Sequence, residues 1–177
     1  ENNYYTALLG LQLFAEHGYS RNLSEAKLEE RFEFCNQASY DAFLDLKYFD
    51  ETPGTKPGNW QAHNPSKYLL WQDLLLGIFD ANIKGLPLSQ HYTQLADKFR
   101  LYKQDERWGF LFNIYESLAV VLARKADLGL RILEYYKSGN QDALEKLVQE
   151  ELPELQKQIS LLRNKHRDLW HTTYKPF

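Results

Sequence analysis

The sequence predicts an all-α chain folded as a helical bundle of about six or seven helices with one long central helix. Three observations carry this. Apolar residues recur three and four positions apart along most of the chain, with no alternating stretch that would suit a strand or hairpin. Glycine and proline cluster at a few points between these periodic runs, and Ser or Asn stands where a helix start needs a cap. No repeat, low-complexity tract or interior boundary breaks the pattern, so residues 1–177 read as a single domain able to bury a real core.

The first helix runs from about Asn3 to His17 and is apolar nearly all round between Tyr4 and Ala15. Such a helix requires cover on every face. At the edge of a small domain this points to missing protein. Gly18 suits a C-cap. Ser24 caps a second helix with Leu28, Phe32 and Cys35 on one face, and Ser39 a third with Tyr40, Phe43 and Leu44 inward. Asp50–His63 reads as the one long loop, with Pro53-Gly54 and Pro57-Gly58 as turn signals. Asn64 and Pro65 then start a helix expected to reach about Ala81, as N-cap and first helical residue.

Gly85 and Pro87 separate this from a helix carrying Tyr92, Leu95, Phe99 and Tyr102. The long helix follows, from about Glu106 to Lys137, roughly 50 Å at 1.5 Å per residue. Trp108, Leu111, Phe112, Tyr115, Leu118, Ala119 and Leu122 form its inner face. Gly139 ends it and Asn140 caps the next. In the last segment Leu144, Leu147 or Val148, Leu152, Leu155, Ile159, Leu162, His166 and Leu169 alternate three and four apart as a packing seam, which Pro153 kinks or restarts.

Composition narrows the function. Hydrophobic residues make up 44% and charged residues 25%, ordinary values for a globular chain. The formal net charge of −3 gives no basic surface for nucleic acid or an anionic membrane, and no apolar run approaches the roughly 20 residues that span a bilayer. A single cysteine, Cys35, allows no internal disulfide and no multi-cysteine zinc site. It suits a reducing, cytoplasmic setting. The chain contains no methionine, as a processed chain or a fragment would.

No catalytic constellation emerges. The five histidines include no pair at the i, i+4 spacing that would bring both to one metal. His166 and His171 diverge by about 140° around a helix. His166-Arg167-Asp168-Leu169 imitates the start of a kinase catalytic loop, but Thr173 stands where that loop needs Asn, and no glycine-rich phosphate loop precedes it. Glu29-Glu30 and Glu150-Glu151 are adjacent helical residues about 100° apart, so they do not oppose each other as glycosidase carboxylates do. No metal, cofactor or catalytic residue is assigned.

One segment stands out. Trp60, His63, Asn64, Tyr68, Trp71 and Asp73 surround the long loop and the helix it feeds, and are the binding or interface candidates. Trp60 after two Pro-Gly turns suits stacking on a sugar or a partner. Alternatively it plugs the core, with Tyr68 and Trp71 as helix core.

The run Asn64-Pro-Ser-Lys-Tyr-Leu-Leu-Trp-Gln-Asp-Leu-Leu-Leu-Gly-Ile-Phe-Asp80 resembles a signature in the C-terminal helical domain of certain bacterial family 20 glycoside hydrolases, the exo-β-N-acetylhexosaminidases. Ala7-Leu-Leu-Gly-Leu-Gln-Leu-Phe-Ala-Glu-His17 is similar to the helix following their last barrel strand, and Leu169-Trp-His-Thr-Thr-Tyr-Lys-Pro-Phe177 to the lead-in to a final segment. The resemblance implies a parent enzyme that removes terminal N-acetylglucosamine or N-acetylgalactosamine. Its nucleophile would be the substrate's own acetamido oxygen, positioned by an Asp-Glu pair on a barrel upstream of Glu1, outside the usual two-carboxylate scheme. No residue here matches that pair.

The implied partners are that catalytic barrel and a second copy in a homodimer. The alternative is a helical protein–protein interaction module unrelated to carbohydrates, whose first helix would pack fully within the chain. Without the acid and the positioning carboxylate, the purified chain is expected to hydrolyse no aryl N-acetylglucosaminide. Turnover abolished by a point substitution within the chain would overturn this.

Overall fold

The computed structural model describes residues 3–56 and 64–174. It is an all-α helical bundle with a long bent central helix, and no strand occurs among the described residues. A 3-10 turn, Tyr4–Ala7, leads into α1 (Leu8–Tyr19), followed by α2 (Glu25–Asn36) and α3 (Tyr40–Leu44), which runs into a 3-10 turn, Asp45–Phe49. Then come α4 (Pro65–Trp71), α5 (Asp80–Ile83), α6 (Leu88–Tyr102), α7 (Gly109–Lys125) and α8 (Leu128–Ser138). After α9 (Gln141–Lys146), a wide turn over Leu147–Glu151 precedes α10 (Leu152–Thr173).

The caps fall where the sequence places them. Side-chain oxygens of Ser24, Ser39, Asn64 and Asn140 each accept a backbone N–H three residues on. Gly139 closes α8 in the left-handed conformation, at φ +68°. Gly18 does not cap α1. The helix passes through it and ends where the Ser20 N–H donates to the Glu16 carbonyl at 2.8 Å, with Ser20 already extended.

α7 is the spine, and its longest partnership is with α6, followed by α10. Leu111, Phe112, Ala119, Val121 and Leu122 are fully buried along it. Phe43 meets Trp108 and Phe112 edge-on, with ring centroids 5.3 and 5.4 Å apart, and Phe99 stacks on Phe49 at 5.7 Å. The Trp108 indole N–H donates to the Asn36 carbonyl at 3.1 Å, satisfying the ring's only donor. A smaller core of Val121, Leu128, Leu147 and Leu155 spans the bend.

The expected continuous helix from Glu106 to Lys137 therefore exists with a bend at Ala126-Asp127. Asp127 begins α8 at φ −110°, and the Leu74 carbonyl lies 3.0 Å from where a Cβ on Gly129 would sit, so another segment presses on the bend. The tail behaves as Pro153 dictates. Proline supplies no N–H to the preceding turn, and the backbone widens over Leu147–Glu151 before α10 begins with Pro153 in its first turn.

Three assignments of facing residues change. Cys35 is exposed, although Leu28 and Phe32 of the same helix are buried. On α10 the seam passes through Leu155, Leu162, Lys165 and Leu169, while Ile159 and His166 are exposed. Lys165 takes the inward place because its ammonium reaches α7, donating to Asn113 Oδ1 at 2.9 Å and Ser117 Oγ at 2.6 Å. Burial lowers the Lys165 pKa from its ordinary value.

The α6–α7 corner depends on close approach. A Cβ on Gly109 would sit 2.4 Å from the Lys103 carbonyl oxygen, whereas one on Gly10 of α1 would meet nothing within 4 Å. Gly109→Ala is expected to destabilise by about 2–3 kcal/mol through overpacking. Gly10→Ala should stabilise by about 0.5–1 kcal/mol through lost unfolded-state entropy. Thermal unfolding of both variants checks the pair, and equal shifts would contradict this packing.

Candidate functional site

The segment singled out in the sequence is anchored at the described residues on either side of its loop. Asn64 caps α4 by accepting the Lys67 N–H at 2.9 Å, and its amide also donates to the Asp50 carboxylate, tying the loop's two ends together. The buried Ser66 hydroxyl donates to the Phe49 carbonyl at 2.5 Å and lies 2.9 Å from the Tyr92 hydroxyl. Burial raises the Tyr92 pKa well above the phenol range, so this hydroxyl stays protonated. The stems of the loop are thus fixed. Trp60 and His63 lie outside the described residues.

The structure separates the remaining candidates. Asn64 is a cap. Tyr68 is half-buried and stacks on Phe79 with ring centroids 4.4 Å apart, and burial raises its pKa. Trp71 is 78% exposed, at the end of α4. Asp73 is exposed and accepts the N–H groups of Leu75 and Leu76 at 2.8 and 3.2 Å.

This Asp73 turn overturns the expected continuation of the helix to Ala81. α4 stops at Trp71, Gln72 is extended, and the chain turns through Asp73–Phe79 with Gly77 at φ +56°. An aspartate that bonds its own following amides offers the backbone an alternative to the helix. Leu75, Leu76 and Ile78, which a continuing helix would have buried in part, are exposed beside Trp71. The Asp-Leu-Leu-Leu-Gly order was the available signal, since an Asx turn followed by glycine is turn chemistry.

A second apolar surface lies on α1. No residue of Tyr4–Tyr19 is fully buried, and Phe14 is 81% exposed. Leu11, Leu13 and Tyr19 are exposed on the same helix, and Phe34 on neighbouring α2. α1 is held to α2 by polar contacts. Arg31 pairs with Glu16, and the Asn36 amide donates to Gln12 Oε1 at 2.8 Å. Tyr5 anchors the leading turn edge-on against Trp108, at 5.5 Å. This contact is at the start of α7, and the exposed turn is at its far end. A 17-residue helix separates them by roughly 25 Å.

Among the described residues no group of three or more His, Cys, Asp or Glu side chains could hold a metal ion, and no helix is long and apolar enough to cross a membrane. The chemistry on offer is apolar contact at two well-held surfaces. Compared with known proteins, the chain matches the family model described as the Glycoside Hydrolase 20C C-terminal domain over residues 41–177. No curated protein matches it.

Trp71 is expected to contribute red-shifted fluorescence that iodide quenches readily, so among the chain's four tryptophans Trp71→Phe should lower the iodide-quenchable share while the blue-shifted emission of the buried Trp108 persists. Loss of a blue-shifted, unquenched component instead would contradict the exposed placement.

Proposed function

Because the chain belongs to the Glycoside Hydrolase 20C C-terminal domain family, we infer that it is the non-catalytic helical domain of a bacterial β-N-acetylhexosaminidase acting on terminal N-acetylglucosamine or N-acetylgalactosamine. Its work is to pack on the catalytic barrel of the same polypeptide, with a second role in shaping the active-site rim or a homodimer interface. The single cysteine favours a cytoplasmic enzyme.

The observation that supports packing is the uncovered α1. Its apolar residues exceed what this bundle buries, and a set of exposed aromatic and aliphatic side chains of this kind marks an interaction surface. A free-standing interaction module would need no such lead helix, and its distinguishing feature, a first helix packed fully within the chain, is missing. For the rim, Trp60, His63, Asn64, Tyr68, Trp71 and Asp73 remain our candidates. Asn64 acts by closing the loop and Asp73 by shaping the turn. Trp60, between two fixed stems, would offer a stacking face at low entropic cost.

The test is made in the full-length enzyme. After proteolytic cleavage between the barrel and this domain, the two parts should co-elute on gel filtration. Leu11→Glu with Phe14→Glu should separate them, because burying a carboxylate at an apolar contact is costly. The same substitutions should change the stability of the isolated chain by no more than about 0.5 kcal/mol, as both sites are exposed. Co-elution unaffected by the double substitution would refute the packing role. Trp60→Ala should raise KM with stability unchanged. Lost stability with unchanged kinetics would make Trp60 a core plug and remove the rim role.

A further inference from the structure

Lys125, the last residue of α7, is 8% exposed. No carboxylate lies within ion-pair distance of its ammonium among the described residues, and the negative charge that acts on it does so at longer range, from Asp73. An ammonium placed this way is costly unless its donors are used. Two of its three are. It donates to the Leu70 carbonyl at 2.6 Å and the Gln72 carbonyl at 2.9 Å, the groups that the end of α4 leaves without helical partners.

Everything after Gln72 is pinned from the inside. The Gln72 side-chain oxygen accepts the Phe79 N–H at 3.4 Å, and Phe79 stacks on Tyr68. Asp73 holds the amides of Leu75 and Leu76. The Leu74 carbonyl rests against Gly129 at the bend, and Gly77 supplies the left-handed residue. On the outer side, Trp71, Leu75, Leu76 and Ile78 face solvent. An apolar turn in water would ordinarily collapse onto the surface or fluctuate. This one is clamped open by bonds to its backbone.

We propose that Lys125 is a positioning residue: a buried cationic clasp that fixes the end of α4 and thereby holds the apolar turn 71–78 in a preformed, outward conformation. That accounts for a lysine at a position where an aliphatic residue of similar length would bury at less cost. The role goes beyond the domain assignment and is independent of it, because it concerns the conformation of this chain alone.

The experiment is Lys125→Met, which keeps the stem and removes the charge, read by amide hydrogen exchange and thermal unfolding of the 177-residue chain. Exchange at Leu75, Leu76 and Phe79 should rise at least about tenfold, with Leu95 and Phe112 unchanged and only a small fall in Tm, since the two carbonyls lose their donor while the cost of burying the charge is removed as well. Lys125→Arg, which retains cationic donors, should recover part of the protection. Two outcomes overturn the proposal: unchanged exchange at the three amides in folded Lys125→Met, or a uniform rise across the chain with lowered Tm. If Lys125→Met does not fold, Lys125→Gln, with one neutral donor amide, is read by the same criteria. Failure of both to fold would also overturn it, by making Lys125 a general requirement of the core.

Discussion

The fold depends on how much of α7 is buried. Ten of its seventeen residues are buried, including Glu116, Ser117 and Lys125, so each polar group on it must find a partner in the elements packed around it. Glu116 does so with two cations. Arg100 Nε and Lys103 Nζ of the α6 end donate to its two oxygens at 3.1 and 2.7 Å. The glycine at the head of α7 brings the Lys103 carbonyl close enough for this corner to close. α10 is keyed to the same helix one turn away, through Lys165 with Asn113 and Ser117. Register between α6, α7 and α10 is thus set by a few directional bonds within an apolar contact. Removing one partner of a buried charge costs far more than the pair contributes in net stability.

A second network ties the front of the chain to α6. Asp45 receives Lys98 at 3.0 Å and the Tyr102 hydroxyl at 2.8 Å, and Lys98 also lies over the Tyr48 ring. His91 meets the Tyr48 carbonyl at 2.9 Å. The 3-10 turn after α3 is therefore held by side chains of a helix some fifty residues later, leaving the start of the 50–64 loop in a defined place. At the other end of the bundle Arg131 pairs with Glu151 through two bonds, raising the pKa of the guanidinium and lowering that of the carboxylate, and so fastens α8 to the widened turn.

Most of the architecture was legible in the sequence because it rests on local rules. Caps at Ser24, Ser39, Asn64 and Asn140 and the stop at Gly139 are decided within a few residues. The apolar lead helix also read correctly as carrying more apolar side chains than this bundle buries. What escaped notice is decided by distant partners. Leucine triplets look like helix core, yet α4 ends at Trp71, where Asp73 turns back on its own amides, Gly77 follows in the left-handed conformation and Lys125 of another helix takes the Leu70 and Gln72 carbonyls. The choice of Lys165 over His166 for the inward side of α10 depends on what α7 presents opposite. Of the candidate site, periodicity identified the helix around Tyr68 and Trp71 but assigned Leu75, Leu76 and Ile78 to the wrong environment, because it carries no information about a break between two apolar runs.

The exposed side chains of α1, α2 and the 71–78 turn also bear on the heat capacity of the chain. Apolar surface already hydrated in the native state adds nothing to the change in hydration on unfolding. Phe14, Tyr19, Phe34, Trp71, Leu75 and Leu76 together therefore give the isolated chain a smaller unfolding heat-capacity increment, and a shallower denaturant dependence, than its length alone would set. Its stability curve is correspondingly flat with temperature. When these side chains are covered, the missing increment reappears as a negative heat-capacity change of association.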